Sequence, residues 1–212
     1  MGKRLIEPVE DNLDKQKTYK RNILKYNAAV NNGFYFEAML IVYAMMEDRL
    51  KSYLYHMGAL KSRKSYKIDC PKTKQFLQDI VAQYKRGWES CNLGISSISG
   101  KIKIVRCTLI WASLTDEEKL TGYQSVLKSR LEKVDIEALL ECLCNIESWC
   151  KYRNEVIHAL LNKNMDSLDE QLSVQVQDGM KLARTLDAEL KVLKKYDTIR
   201  KKINLPSEQE WK

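Results

Sequence analysis

The chain has 212 residues, of which 44% are hydrophobic and 30% charged, as expected for a single domain with a full apolar core. Lysine and arginine exceed aspartate and glutamate by 36 to 28, and the resulting net charge of +8 favours a polyanionic partner. The longest apolar run, residues 38–46, is far shorter than the roughly 20 residues of a membrane span. A soluble protein without a membrane partner is therefore predicted.

The six cysteines form no C-x-x-C pair and have no histidine at zinc-binding spacing. No metal or other cofactor is therefore expected. Cys142 and Cys150 fall on the same side of a predicted helix and are interpreted as small buried apolar residues. No signal peptide follows Met1, so a reducing, cytoplasmic location is predicted.

Two helices are predicted in the first part of the chain. A basic amphipathic helix spans about residues 11–30, and the turn sequence Asn31-Asn32-Gly33 ends it. The next helix spans about residues 34–56 and carries large apolar residues at three- and four-residue spacing. This spacing predicts a helix with one buried stripe, formed by Phe36, Leu40, Tyr43, Leu50 and Leu54.

Four polar residues of this second helix need a separate interpretation. Glu47 falls on the apolar stripe, where a carboxylate needs a cationic partner. Asp48 and Arg49 are interpreted as exposed helix charges. His56, close to the helix end, is expected to interact with the carbonyls of the last turn.

Residues 57–115 are interpreted as a loop-rich insertion. They contain one predicted helix, about residues 72–86, and a glycine- and serine-rich stretch, residues 87–100, that is expected to be a flexible loop. The apolar stretch 102–114 is either helix or strand, because its periodicity favours neither.

Three signals divide the second half of the chain into helices. The capping-box sequence of residues 115–118 predicts a helix that reaches about residue 134. Asp135 then caps a long helix to about residue 162, and Asp166 begins the last one. Residues 1–212 are therefore predicted to form one mainly helical domain.

The long helix carries the most informative motif of the sequence, R-N-E-V-I-H at residues 153–158. Arg153, Asn154 and His158 are polar residues on a mostly apolar helix, and such residues are costly to bury unless they bind or react with something. The motif follows an earlier helix that begins G-x-x-x-E-A at Gly33. Together these features resemble the HEPN superfamily, an all-helical group that includes metal-independent ribonucleases with an Arg, four to six residues, then His.

The resemblance implies an all-α fold, an up-and-down helical bundle. It also implies catalytic roles for Arg153, Asn154 and His158, in a cleft between two protomers. At about 100° per residue, Arg153 and His158 point roughly 140° apart on one helix, so a single helix cannot readily aim both at one phosphate. Two copies related by a two-fold axis could place the His of one beside the Arg of the other. The helix geometry therefore agrees with the homodimer that the resemblance implies.

RNA cleavage without a metal needs proton transfer and charge stabilisation, and these residue types supply both. Histidine can take the proton of the ribose 2′-OH or give one to the leaving 5′-oxygen. Arginine can hold two phosphate oxygens as charge accumulates, and Asn154 can position the phosphate or the 2′-OH. The expected products are a 2′,3′-cyclic phosphate and a 5′-hydroxyl. Glu47 is expected to lie behind Arg153 and orient it.

Two basic segments are expected to bind the RNA backbone. The alternative is that they are solvated helix faces, as most such runs are. The RNA-binding interpretation assigns the contacts to Lys61, Arg63, Lys64, Lys67, Lys194, Lys195, Arg200 and Lys201.

Two alternatives to the ribonuclease stay open. One is a non-catalytic HEPN module that binds a nucleotide or a partner protein, and the other is a helical scaffold whose charge serves only solubility. The resemblance also implies a toxin or phage-defence effector, with an antitoxin or a defence complex as partner.

Overall fold

The computed structural model describes residues 12–84, 92–116, 120, 122–159, 169–194 and 198–205. Every regular element in these ranges is an α-helix, which confirms the all-α prediction, and they contain no strand. The helices are α1 (Asn12–Asn31), α2 (Tyr35–His56), α3 (Pro71–Tyr84), α4 (Ile98–Leu114), α5 (Gly122–Leu131), α6 (Ile136–Ala159), α7 (Asp169–Lys194) and α8 (Thr198–Lys202).

The second helix is the centre of the packing. It lies against α7 along much of its length and also contacts α1 and α4. Its buried face differs from the predicted stripe, because Leu40 is 40% exposed and Tyr43 is half-buried. The smaller and more flexible Ala and Met side chains face the core instead, and they fill narrow spaces between helices well. The core residues of α2 include Ala38, Met39, Val42, Met45, Met46 and Leu50.

Residues 57–115 contribute to the shared core. The stretch 102–114, which periodicity left undecided, is helical and belongs to α4, where most of its side chains are buried. This helix packs against α2, α3 and α6. Because α4 is buried on most of its circumference, apolar residues occur on nearly all of its sides, and its sequence lacks the amphipathic pattern of a surface helix.

The predicted flexible loop, residues 87–100, is ordered at its end. Residues 85–91 lie outside the described residues, but Ser97 caps α4 by accepting a hydrogen bond from the Gly100 N–H at 3.1 Å. A side chain at Gly100 would collide with the carbonyl of Gly94. The glycines here therefore permit a close approach between the loop and the first turn of α4.

The helix boundaries follow the local capping signals with one exception. Gly33 has a φ of 75° and ends α1 as predicted, and Asp135 accepts from the Ala138 N–H at 3.0 Å to cap α6. The capping box predicted at residue 115 is wrong: the backbone N–H of Thr115 donates to Trp111 and closes α4, and α5 begins only at Gly122. Residues 166–168, where the last helix was predicted to begin, and residues 195–197, between α7 and α8, lie outside the described residues.

Two further expectations can be compared with the structure. Cys142 and Cys150 are buried, as predicted, and the five described cysteines are all free thiols. Among the described helices, none is long and apolar enough to span a membrane.

Candidate functional site

Arg153 lies at the middle of the buried face of α6. Trp149 and Val156, four residues before and three after it, are buried, whereas Ile157 is only half-buried, so the packed face of α6 is centred near Arg153. Trp149 fixes this rotation by donating from Nε1 to the carbonyl of Gln175 on α7 at 2.7 Å. The buried residues of α6 are Leu139, Cys142, Leu143, Ile146, Trp149, Cys150, Val156 and Ala159.

Two neighbours hold the Arg153 side chain. Its guanidinium carbon lies 4.2 Å from the centroid of the Tyr43 ring of α2, a cation–π contact. Its Nη1 donates to Oδ1 of Asn154 at 3.0 Å. Its Nε is buried and has no hydrogen-bond acceptor among the described residues. The guanidinium is therefore fixed in position but only partly satisfied, which is costly for a cation.

Glu47 lies near this group but pairs with another cation. Its Oε1 accepts from Nζ of Lys101 at 2.7 Å, and the Lys101 side chain is only 4% exposed. Glu47 was expected to lie behind Arg153 and orient it, but among the described residues its ion pair is with Lys101 and not with Arg153. Glu47 still influences the surroundings of Arg153 electrostatically. Burial is the main cause of the raised pKa of Tyr43, the negative charge of Glu47 raises that pKa further, and the positive charge of Arg153 lowers it.

Asn154 and His158 lie on the outer side of α6. Both are exposed, whereas Arg153 is half-buried against α2. The chain thus brings Arg153 and Asn154 together and leaves His158 on a different side of the helix, as the helical spacing predicts.

Arg200, predicted to bind RNA, is completely buried, so that prediction is wrong. Its guanidinium donates to the carbonyls of Tyr55 and Leu60, at 2.8 and 2.9 Å, and to that of Lys61 at 3.1 Å. It also lies 3.7 Å from the centroid of the Tyr55 ring. A planar fork with five donors can satisfy several carbonyls at once, which is why a buried arginine is tolerated here.

The other predicted RNA-binding residues divide into two groups. Arg63 and Lys194 are half-buried and line the same cavity, although one follows α2 and the other ends α7. Lys195 lies outside the described residues. The remaining members are exposed, as a role in backbone binding requires; they are Lys61, Lys64, Lys67 and Lys201.

Two polar residues of α2 are more buried than predicted. Arg49, interpreted as exposed, has a side chain only 7% exposed and donates from Nη1 to Asp187 of α7 at 2.8 Å. Asp48, also interpreted as exposed, is half-buried and binds Lys15 of α1 at 2.9 Å. His56, expected to interact with the carbonyls of the last turn, is 2% exposed, and burial, with a smaller contribution from nearby cations, holds its pKa well below the usual value.

Sequence reasoning missed two residues that build the Arg153 environment. Tyr43 was assigned to the core, yet it provides the ring against which Arg153 stacks. Lys101 lies at the start of an apolar stretch, and it neutralises Glu47. The only sequence signal was the unexplained charge of Glu47 on an apolar stripe, which called for a cation without identifying which one.

Comparison with protein-family models, with curated proteins and with solved structures gives no significant match to this chain. The HEPN resemblance therefore depends on the residues that carry it, the R-N-E-V-I-H motif and the earlier G-x-x-x-E-A helix.

Proposed function

We propose that the chain is a metal-independent endoribonuclease of the HEPN type, which acts as a two-fold dimer and leaves a 2′,3′-cyclic phosphate and a 5′-hydroxyl. The observation that carries the proposal is the different placement of two side chains at the end of α6. Arg153 is held against Tyr43 and Asn154, while His158 is exposed on another side of the helix. Each helix end thus offers one half of a site.

Arg153 suits the role of phosphate ligand. A guanidinium that is fixed before substrate arrives loses little entropy when it binds a phosphate, and its charge acts more strongly where water is excluded. Its hydrogen bonding is also incomplete, because Nε has no acceptor among the described residues. An anion brought to this side chain would offset part of the cost of burying it.

His158 suits the role of proton-transfer group. It is exposed near the end of α6, so an RNA strand can approach it. A neutral imidazole can remove the 2′-OH proton, and a protonated one can give a proton to the leaving 5′-oxygen. Such general acid–base catalysis typically accelerates a reaction by about 10²–10⁴-fold. DNA, which lacks the 2′-OH, should remain uncut.

A second copy of the chain supplies the missing half of each site. The face of α2 beside Arg153 is partly open, because Leu40 is 40% exposed and Tyr43, one turn further along, is half-buried. Apolar side chains at an accessible helix face favour contact with another helix. An isologous contact here would set the Arg153 of one protomer toward the His158 of its partner.

The test is cleavage of a mixed RNA pool in EDTA, followed by a subunit-mixing experiment. Arg153→Ala and His158→Ala should each lose at least about 10²-fold in rate. After mixing and subunit exchange, heterodimers keep one intact pairing and should regain part of the activity. Arg184→Ala, which removes an exposed arginine of α7, is the matched control and should cut at the wild-type rate.

Three results would contradict the proposal in different ways. Cleavage by His158→Ala at the wild-type rate would exclude its catalytic role. Failure of the mixture, with exchange shown by labelled subunits, would exclude the composite site. An inactive wild-type dimer that does not bind RNA would favour the partner-binding HEPN module. If the enzyme is active, the family resemblance further suggests a toxin or phage-defence effector restrained by a partner.

A further inference from the structure

Cationic side chains from four separate parts of the chain line one cavity on another side of α2. They are Lys15 and Lys20 of α1, Arg49 of α2, Arg63 of the loop after α2, and Lys194 at the end of α7. The cavity has a volume of about 760 Å³. That size lies within the range of pockets that bind small organic molecules, about 300–1,000 Å³.

The carboxylates around this cavity neutralise only part of the positive charge. Asp187 accepts from Arg49 at 2.8 Å, and Asp48 accepts from Lys15 at 2.9 Å. Lys194 has no ion-pair partner within 4.0 Å among the described residues, although it is half-buried beside the other cations. The described residues that line the cavity are five cations and one carboxylate, Asp187, so they carry an excess of positive charge.

The loop that carries Arg63 is held by buried contacts. Arg200 donates to the carbonyls of Tyr55, Leu60 and Lys61, on both sides of the turn that follows α2. The Tyr55 ring contacts both arginines, with its centroid 3.7 Å from the guanidinium carbon of Arg200 and 5.0 Å from that of Arg63. Arg63 is thus presented by a rigid frame, which lowers the entropic cost of binding an anion.

The pKa values of three lining residues agree with an excess of positive charge in the cavity. Burial lowers the pKa of Lys194 to about 8, with further lowering by Arg49, Lys15 and Arg63 against the opposing effect of Asp187. Burial also lowers the pKa of Lys15 and of Arg63. A bound anion would favour the charged forms of all three groups and so gain affinity from relieving their repulsion.

One wall of the cavity is apolar. Tyr19, Ile23 and Leu24 of α1 line it together with the cations, and Leu24 is 69% exposed. The guanidinium carbon of Arg49 lies 4.2 Å from the centroid of the Tyr19 ring, which fixes the boundary between the charged and apolar parts. A ligand that fills this space needs a doubly charged head and a less polar body.

We propose that this cavity binds the phosphate monoester group of a small organic phosphate, with Arg63 and Lys194 as its main ligands and Tyr19, Ile23 and Leu24 against its organic part. The site is separate from the R-N-E-V-I-H motif, because Arg49 and the Tyr43 that contacts Arg153 point about 120° apart on α2. It does not depend on ribonuclease activity.

The test is isothermal titration of the whole chain with inorganic phosphate and with phenyl phosphate at pH 7 and constant ionic strength. Phenyl phosphate should bind more tightly than inorganic phosphate, since it also covers the apolar wall. Lys194→Met and Arg63→Met should each weaken binding by about tenfold or more, as loss of a charge-assisted hydrogen bond does. The matched controls, Lys133→Met and Arg184→Met, remove exposed cations elsewhere and should bind both probes normally.

Competition experiments identify the source of the phosphate. Two short RNAs of the same sequence are compared, one with a 5′-phosphate and one with a 5′-hydroxyl. If only the 5′-phosphate RNA displaces phenyl phosphate, the site binds the end of a strand. If neither RNA displaces it, the occupant is a free small molecule. Displacement by both would overturn the monoester assignment in favour of backbone phosphates. Equal weakening by pocket and control variants, with unchanged circular dichroism, or no binding to the folded wild-type chain, would overturn the site altogether.

Discussion

The end of α6 and the cavity beside α1 place their charged residues in opposite ways. At the end of α6, Arg153 and His158 are close in sequence but lie on different sides of one helix, with Arg153 half-buried and His158 exposed. At the cavity, Lys15 and Lys194 come from opposite ends of the described chain and line one space. Neighbouring residues of one helix thus diverge, whereas cations scattered along the chain line one cavity.

The two regions also differ in how their arginines are stabilised. Arg153 and Arg49 each have a ring contact and an Nε without an acceptor among the described residues. They differ in their ion pairs: Arg49 is paired with Asp187 at 2.8 Å and with Asp48 at 3.3 Å, whereas the hydrogen bond of Arg153 is to the uncharged Asn154. Arg49 is therefore interpreted as a fixed wall of its cavity, and Arg63 and Lys194 are the proposed phosphate ligands.

The largest effect is expected from Arg200→Leu, which removes the frame of the cavity but touches nothing at the end of α6. Three carbonyls would lose their donor in a fully buried position, so the free energy of unfolding should fall by about 3 kcal/mol or more. Urea denaturation measures this change. Lys202→Leu, an exposed position of the same helix, should cost less than about 0.5 kcal/mol. Similar midpoints for both variants would contradict the structural role of Arg200.

A smaller effect is expected from Tyr43→Leu, which removes the ring beneath Arg153. If that contact positions the guanidinium, single-turnover RNA cleavage should slow by about tenfold, while Tyr43→Phe, which keeps the ring, should stay within about twofold of the wild type. Neither variant should alter phosphate binding at the cavity, whose lining lies on another side of α2. Equal rates for the Leu and Phe variants would show that the stack does not orient Arg153.

The smallest effect is expected from Lys194→Met, and it is measured as the pH dependence of the melting temperature. The folded pKa of about 8 lies below the ordinary 10.5, so the unfolded chain binds more protons between these values. The charged amine therefore destabilises the fold fully below about pH 8, and the penalty disappears toward pH 10.5. The variant should melt about 2–4 °C above the wild type at pH 7, with a difference that shrinks by pH 10.

A Lys194→Met protein that melts below the wild type at pH 7 would contradict this account and assign the residue a packing role. Addition of inorganic phosphate at pH 7 should raise the melting temperature of the wild type more than that of the variant, since ligand binding stabilises only the folded state that holds it.

Parts of the fold could be predicted from local signals. The all-helical class, the break at Gly33 and the cap at Asp135 follow from turn and capping chemistry that acts within a few residues. The helical state of α4 could not be predicted, because burial on most sides removes the period from its sequence. The start of α5 was missed for a related reason: Thr115 can cap a helix at either end, and here it closes α4.

At the end of α6, helical spacing alone gives the relative directions of the motif residues. Arg153 and His158 diverge because α6 is one continuous helix through both of them. The partner of Glu47 did not follow, because Lys101 is distant in sequence and reaches Glu47 only when α4 packs against α2. Arg200 looked like one more surface cation in a basic run, and nothing in that run distinguishes it from its exposed neighbours Lys201 and Lys202.

The sequence by itself determined what acts over short distances: helical class, several helix ends, the motif at residues 153–158 and the excess of positive charge. The tertiary structure alone decided which cations are buried and which meet. Burial of Arg200, pairing of Glu47 with Lys101 and convergence of Lys15, Arg63 and Lys194 all depend on contacts between helices far apart in the chain. Such contacts are selected by the packing of whole helix faces, so no local pattern specifies them.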